Sequence, residues 1–260
     1  MPAVPVTRLP FTLTETSVLA VIPARFHSTR LPGKALLDIA GKPMIEHVYR
    51  RASEAKSVDA VLVATDDERI ADTVRAFGGA VWMTSVDHIS GTDRLAEVAA
   101  SVPCGLIVNV QGDEPLLDPA IIDAALEPFR GHPELMMATA ARALVDDAEL
   151  TNPNLVKVVR DANGFALYFS RSPIPYGRDA SATTSARAHV GLYVYRRDTL
   201  IRLARMAPGP LECAEALEQL RALENGIRIK VVDTCYHSLG VDTAEDLARA
   251  RQRILAGATH

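Results

Sequence analysis

SVLAVIPARFHSTRLPGKALLDIAGKPMIEHVYRRASEA, residues 17–55, reads as a strand, a long loop and a helix in succession. SVLAVIPA (17–24) is a short continuous apolar run, the pattern of a strand covered on both faces. KPMIEHVYRRASEA (42–55) is amphipathic and reads as a helix. The same rhythm continues outward. Strand-like VDAVLVAT (58–65), GGAVWMT (78–84), CGLIVNVQ (104–111) and LMMATAA (135–141) alternate with helix-like DDERIADTVRAF (66–77), GTDRLAEVAASV (91–102) and DPAIIDAALEPF (118–129). Apolar strands separated by helices imply a doubly wound α/β fold with a mainly parallel sheet, in which ligands sit at the carboxyl ends of the strands.

Beyond about residue 145 the rhythm changes. NLVKVVRDANGFALYFSR (154–171) predicts two strands around the turn Asp161-Ala162-Asn163-Gly164, and ARAHVGLYVYRRDTL (186–200) predicts another strand, so a β-hairpin-rich insertion follows the first half. LECAEALEQLRALENG (211–226) reads as one helix, IRIKVVDT (227–234) as a strand, and TAEDLARARQRILA (243–256) as a helix opened by a Thr243–Asp246 capping box. Residues 1–17 read as a flexible leader and 18–260 as a single domain, with 145–200 as its hairpin-rich part.

Composition narrows the function. The 260 residues are 48% hydrophobic and carry a net charge of −4, which argues against a nucleic-acid surface. No apolar run is long enough to cross a bilayer, and the proline-broken start does not read as a signal peptide. Cys104, Cys213 and Cys235 are odd in number and widely spaced, which suits a reducing cytoplasm and neither disulfides nor zinc.

Against the negative total, Arg25, Arg30, Lys34 and Lys42 crowd the loop after the first strand, punctuated by Pro32, Gly33 and Gly41. Cations and freed backbone amides at a strand's carboxyl end are what a polyphosphate needs. The loop is not a Walker sequence, since Ala35 follows Gly33-Lys34, and it has no G-x-G-x-x-G. VNVQGDEPLL (108–117) brings Gln111, Asp113 and Glu114 to the same edge, where a carboxylate is placed to hold Mg2+. Alternatively, Asp113 or Glu114 caps a turn before Pro115. SLGVDTAEDL (238–247) offers Asp242, either as a second metal ligand or as a plain helix cap.

These stretches, together with ATDDERI (64–70), HISGTDRLAEV (88–98), NPNLVKVV (152–159), HVGLYVYR (189–196) and LEQLR (217–221), resemble the 3-deoxy-manno-octulosonate (Kdo) cytidylyltransferases over about residues 18–254. The resemblance implies a sugar nucleotidyltransferase fold, transfer of CMP from CTP to Kdo for lipopolysaccharide biosynthesis, a Mg2+ requirement and a homodimer, with 145–200 as the acceptor and dimer region. It implies that Arg25, Arg30 and Lys34 bind the triphosphate, that Ser90, Gly91, Thr92 and Arg94 border the nucleotide, and that Asp113 and Asp242 carry the metal. Lys34, Arg25, Asp113 and Asp242 would form the catalytic set. Gln111, Arg171, His189, Tyr193, Glu218 and Gln219 match positions that line the sugar pocket. His27, His47 and His88 read as surface or structural residues, and a Ser90 or Thr92 helix cap is compatible with ligand contact. Cys213 beside Glu212, and His237-Ser238 ahead of Gly240, depart from the family pattern. A cytidylyltransferase for another acceptor, or a silent nucleotide-sugar binding protein, are the rival readings.

Overall fold

Strand β1 (Val18–Ala24) lies between β6 (Leu106–Asn109) and β4 (Ala60–Thr65), and β4 in turn pairs with β5 (Val81–Met83), every pairing being parallel. All six residues of β4 are buried, as a strand covered on both faces requires. A computed structural model describes residues 9–27, 31–178 and 185–257 of the chain. These fall into two units, one made of residues 1–123 and 238–260, the other of 124–237.

In the first unit β1 runs into the basic loop, followed by the small hairpin β2 (Asp38–Ile39) and β3 (Lys42–Pro43), α1 (Met44–Ser53), and then β4, α2 (Glu68–Ala76), β5, α3 (Gly91–Ser101) and β6. Along α4 (Pro119–Leu126) the chain passes into the second unit. Of the expected leader, residues 1–8 lie outside the described residues; in the remainder Leu13 is buried and Ser17 N–H donates to Thr14 O at 3.0 Å.

The second unit holds β7 (Met137–Ala143), α5 (Asp147–Thr151), β8 (Lys157–Arg160), β9 (Ala166–Ser170), β10 (Arg187–Arg196), α6 (Arg197–Ala204), α7 (Pro210–Glu215), α8 (Gln219–Glu224) and β11 (Ile229–Asp233). Here the pairing is mixed: β7 takes β11 in parallel and β10 antiparallel, while β8 joins β9 and β10 antiparallel. The β8–β9 turn is built as its sequence implies. Asp161 Oδ1 accepts the N–H groups of Asn163 and Phe165, each at 2.9 Å, and Gly164 sits at φ 77°. The chain then returns to the first unit for α9 (Ala244–Leu255).

Two elements depart from the sequence expectation. The strand expected over 186–200 ends at Arg196 and continues as α6, which buries Thr199, Leu200 and Leu203 at helical spacing. The single helix expected over 211–226 breaks into α7 and α8 at Ala216, whose φ is 51°. An unbroken helix would set Glu212 and Arg221 about 13 Å apart along its axis. The break instead brings Arg221 Nε to 2.7 Å from Glu212 Oε2, with both residues buried.

Candidate active site

A cleft of about 410 Å³ in the first unit is lined by Pro23–Arg25, His27, Lys34, Ala35, Ser90, Gly91, Arg94 and Gln111–Asp113, together with Asp242. It lies at the carboxyl ends of β1 and β6, where the doubly wound pattern predicts it. The basic loop folds back so that Gly33 N–H donates to Phe26 O at 2.9 Å. Gly33 adopts φ 67°, and a Cβ there would meet the Phe26 ring at 3.2 Å. A short 3-10 turn, Lys34–Leu36, then carries Lys34.

Lys34 Nζ donates to Asp113 Oδ2 at 2.7 Å and to Asp242 Oδ1 at 3.0 Å. Burial opposes the charge on Lys34, but the Asp113 and Asp242 carboxylates outweigh it and hold the ammonium above its usual range. Asp113 reaches this position because Gly112 lets the backbone after β6 press on the end of β1: a Cβ at Gly112 would stand 2.9 Å from Pro23 O. Val241 N–H donates to Asp113 O at 2.9 Å, joining the two acidic segments. Apolar packing supports that junction, since Ile39, Met44, Val241, Leu247 and Ala250 share one buried cluster.

The alternatives left by the sequence resolve locally. Thr243, and not Asp242, caps α9: its hydroxyl accepts Asp246 N–H at 3.2 Å while Asp246 Oδ2 accepts Thr243 N–H at 2.9 Å. The Asp242 carboxylate is therefore left to Lys34. Glu114, not Asp113, turns inward: it is buried and accepts Ser238 Oγ at 2.6 Å. Ser90 caps α3 in a box with Asp93 and also lines the cleft.

Arg94 is sunk to 4% side-chain exposure; it donates through Nη2 to Asp66 Oδ2 at 3.0 Å and through Nη1 to Thr84 Oγ1. Arg25 is exposed and donates to Ile89 O at 3.3 Å. Thr92 is buried at 2% and does not line the cleft, and Arg30 lies outside the described residues. His27, read as a surface or structural residue, is exposed and also lines the cleft. His47 meets Ile39 O at 2.8 Å and His88 meets Glu97 Oε2 at 2.5 Å, both structural contacts.

Of the expected sugar-binding residues, Gln111 lines this cleft and the rest belong to the second unit. There the rings of His189 and Tyr193 stand 5.3 Å apart, centroid to centroid. Burial pushes His189 down to about 3, so it is neutral. The Tyr193 hydroxyl is buried without a hydrogen-bond partner among the described residues; burial, then Tyr195 and Glu218, raise its pKa. Glu218 precedes α8 and Gln219 is its buried first residue. Arg171 is anchored separately: its Nε donates to Glu215 O at 2.9 Å, its Nη1 to Pro153 O at 3.1 Å, and its N–H to Glu215 Oε2 at 2.9 Å.

Sequence reasoning missed Asp66 and Thr84, which hold Arg94, and Glu215 and Lys157, which hold the Arg171 segment. The signal for Lys157 was visible as a cation inside an apolar strand. It is fully buried, and its Nζ donates to the carbonyls of Asn152, Leu155 and Arg171 at 2.8, 2.8 and 2.5 Å.

Cations at 25, 34 and 94, the N-terminus of α3 at Ser90–Gly91 and the carboxylates of Asp113 and Asp242 thus meet around one cleft. The family model described as cytidylyltransferase matches residues 19–229. The chain is 55% identical over 248 residues to 3-deoxy-manno-octulosonate cytidylyltransferase of Geobacter sulfurreducens, covering 92% of this chain and 99% of that protein. It is 56% identical over 232 residues to the protein of that name from Solibacter usitatus, covering 89% and 92%. A solved structure of CMP:2-keto-3-deoxy-manno-octonic acid synthetase complexed with CTP aligns with a TM-score of 0.89 at 46% identity, over 93% of this chain and 100% of that one. The 4-diphosphocytidyl-2C-methyl-D-erythritol synthase of Anaerococcus prevotii, 14% identical with a TM-score of 0.61 and covering 93% and 99%, shares the fold alone. The chain thus belongs to the 3-deoxy-manno-octulosonate cytidylyltransferase family.

Proposed function

We infer that this chain transfers CMP from CTP to the anomeric hydroxyl of Kdo, releasing pyrophosphate, and that it does so with Mg2+ as a cytoplasmic homodimer in lipopolysaccharide biosynthesis. The observation that carries the reading is Lys34, an ammonium bridging Asp113 and Asp242 at the mouth of a cationic cleft. The donor set suits Mg2+, which is commonly held by one or two carboxylates together with substrate phosphates. The two aspartates already gather around a cation, whereas no group of three or more metal-binding side chains forms a closed cage among the described residues. Asp113 and Asp242 would hold the ion; when bound, it neutralises phosphate charge and favours departure of pyrophosphate.

The protein's own groups supply the rest. Arg25, Lys34 and Arg94 bind and orient the triphosphate, and Lys34 and Arg25 take up the negative charge that grows on the leaving pyrophosphate. Arg94, held rigid by Asp66 and Thr84, offers its charge with little reorganisation. Arg171 presents a cation to the Kdo carboxylate, while His189, Tyr193, Glu218 and Gln219 meet its hydroxyls. The sugar hydroxyl attacks the α-phosphorus directly, with no covalent enzyme intermediate.

The homodimer reading is supported by Leu167 and Tyr176, which are 63% and 91% exposed within the hairpin-rich segment; light scattering after gel filtration measures it. The cytoplasmic reading is supported by Cys104, Cys213 and Cys235, all free thiols. Among the described residues no helix is long and apolar enough to cross a membrane. Pyrophosphate release with CTP, Mg2+ and Kdo, against CTP alone and against CTP with a nonulosonic acid or methylerythritol phosphate, tests the reaction. Release specific to Kdo is expected, and faster release with either other acceptor would overturn it.

A further inference from the structure

Strand β10 carries an irregularity where it crosses β7. Val190 faces Ala140 and Tyr193 faces Thr139, so Gly191 and Leu192 are extra residues on the β10 side. Thr139 is fully buried and is the only hydroxyl of the strand MATAARA. Its Oγ1 lies 2.7 Å from Leu192 O, 3.3 Å from Val190 O and 3.0 Å from His189 Nε2.

A hydroxyl has one proton, and a carbonyl can only accept. The Thr139 proton is committed to the bulge, chiefly to Leu192 O, so the hydroxyl has only lone pairs to turn towards His189. Nε2 must then carry the hydrogen. Burial keeps His189 neutral, and a neutral imidazole has a single N–H, which leaves Nδ1 bare. The ring plane is held between Phe169, edge-on at 5.1 Å, and Tyr193. No described residue donates to Nδ1, and His189 is only partly covered.

We propose that Thr139 is a positioning residue, which locks His189 as the Nε2–H tautomer and so makes Nδ1 an obligate acceptor for a hydroxyl of the sugar-acid substrate. The assignment of the ligand rests on the function proposed above; the tautomer lock does not. The lock selects for a donor at that point of the substrate: a hydroxyl satisfies Nδ1, whereas an ether or carbonyl oxygen presents a second acceptor and is rejected.

The test combines histidine-selective 15N NMR with steady-state kinetics on the wild type, Thr139→Ser and Thr139→Val, with His189→Gln identifying the resonances. The expected result is Nε2–H in the wild type and in Thr139→Ser. In Thr139→Val a mixture of tautomers should appear, with a KM for Kdo raised about tenfold and a KM for CTP within twofold of wild type. An Nδ1–H tautomer in the wild type overturns the lock, as does an unaltered tautomer in Thr139→Val. Should Thr139→Val not fold, the wild-type spectrum decides the tautomer and Thr139→Ser decides whether a hydroxyl suffices. Parallel loss of both KM values would make Thr139 merely structural and overturn the positioning role. A wild type with Nε2–H that does not turn over Kdo would remove the ligand assignment and leave the lock standing.

Discussion

At Lys34 one ammonium, with 18% of its side chain exposed, holds two carboxylates that would otherwise repel each other. Replacing Asp113 or Asp242 by Asn keeps the shape and a hydrogen-bond acceptor for Lys34 but removes a formal charge. Turnover should therefore fall at least 100-fold, with melting temperature nearly unchanged. Assays at saturating CTP and matched Mg2+, beside thermal melts, check both halves; near-normal turnover in either variant excludes that residue from the metal site. His189 carries a different pH signature. Its folded pKa of about 3 lies below the ordinary value of 6.5, so between those values the unfolded chain binds a proton that the folded chain does not. Stability should accordingly fall as pH drops from about 6.5 towards 3, by at most about 1.4 kcal/mol per pH unit from this partly exposed residue. Urea titrations at pH 7, 6 and 5 should show a shallower loss in His189→Gln than in the wild type.

The pair α7 and α8 shows how an element boundary can be set by tertiary contact. Nothing in LECAEALEQLRALENG contains a helix breaker before its final Gly226, and helix propensity alone favours continuity. The chain nevertheless places Ala216 in the left-handed region, so that the Glu212 and Arg221 side chains meet in a buried pair with a second bond at 2.5 Å. Glu212→Ala leaves the Arg221 guanidinium buried without its carboxylate and should cost about 3–5 kcal/mol. The double variant Glu212→Leu/Arg221→Met should recover much of that loss, which denaturant unfolding of both proteins measures. The strand-to-helix switch at Arg196–Arg197 was equally hidden. The three buried positions Thr199, Leu200 and Leu203 span too few residues for a helical period to emerge after a long apolar strand. The Thr243 capping box, by contrast, depends only on residues three apart and was legible, whereas for α3 the sequence offered Ser90 or Thr92 as the cap and the structure selects Ser90.

Across the whole molecule, Lys34 pairs with both carboxylates, and the expected outcome is that the fold tolerates removal of divalent ions. Chelation should abolish turnover, and added Mg2+ restore it, while the melting temperature of the nucleotide-free protein stays within about 2 °C. CTP should raise that temperature only when Mg2+ is present, consistent with the roughly 2.7 kcal/mol that a ligand contributes at 100 times its Kd. A CTP-induced rise of equal size in chelator would remove the metal from nucleotide binding. What the sequence determined by itself was the alternation of strands and helices, the basic loop after β1 and the acidic residues at 113 and 242. These follow from local periodicity and from residue types whose chemistry is unusual where they stand. Only the tertiary structure decided that Thr243 releases Asp242 from capping, that Arg94 is held by Asp66, and that Thr139 faces His189 across a bulge. The last two pairings join residues 28 and 50 positions apart, and the first depends on which of two neighbours caps the helix. Such choices are made by packing and burial of the whole chain, which no local pattern encodes.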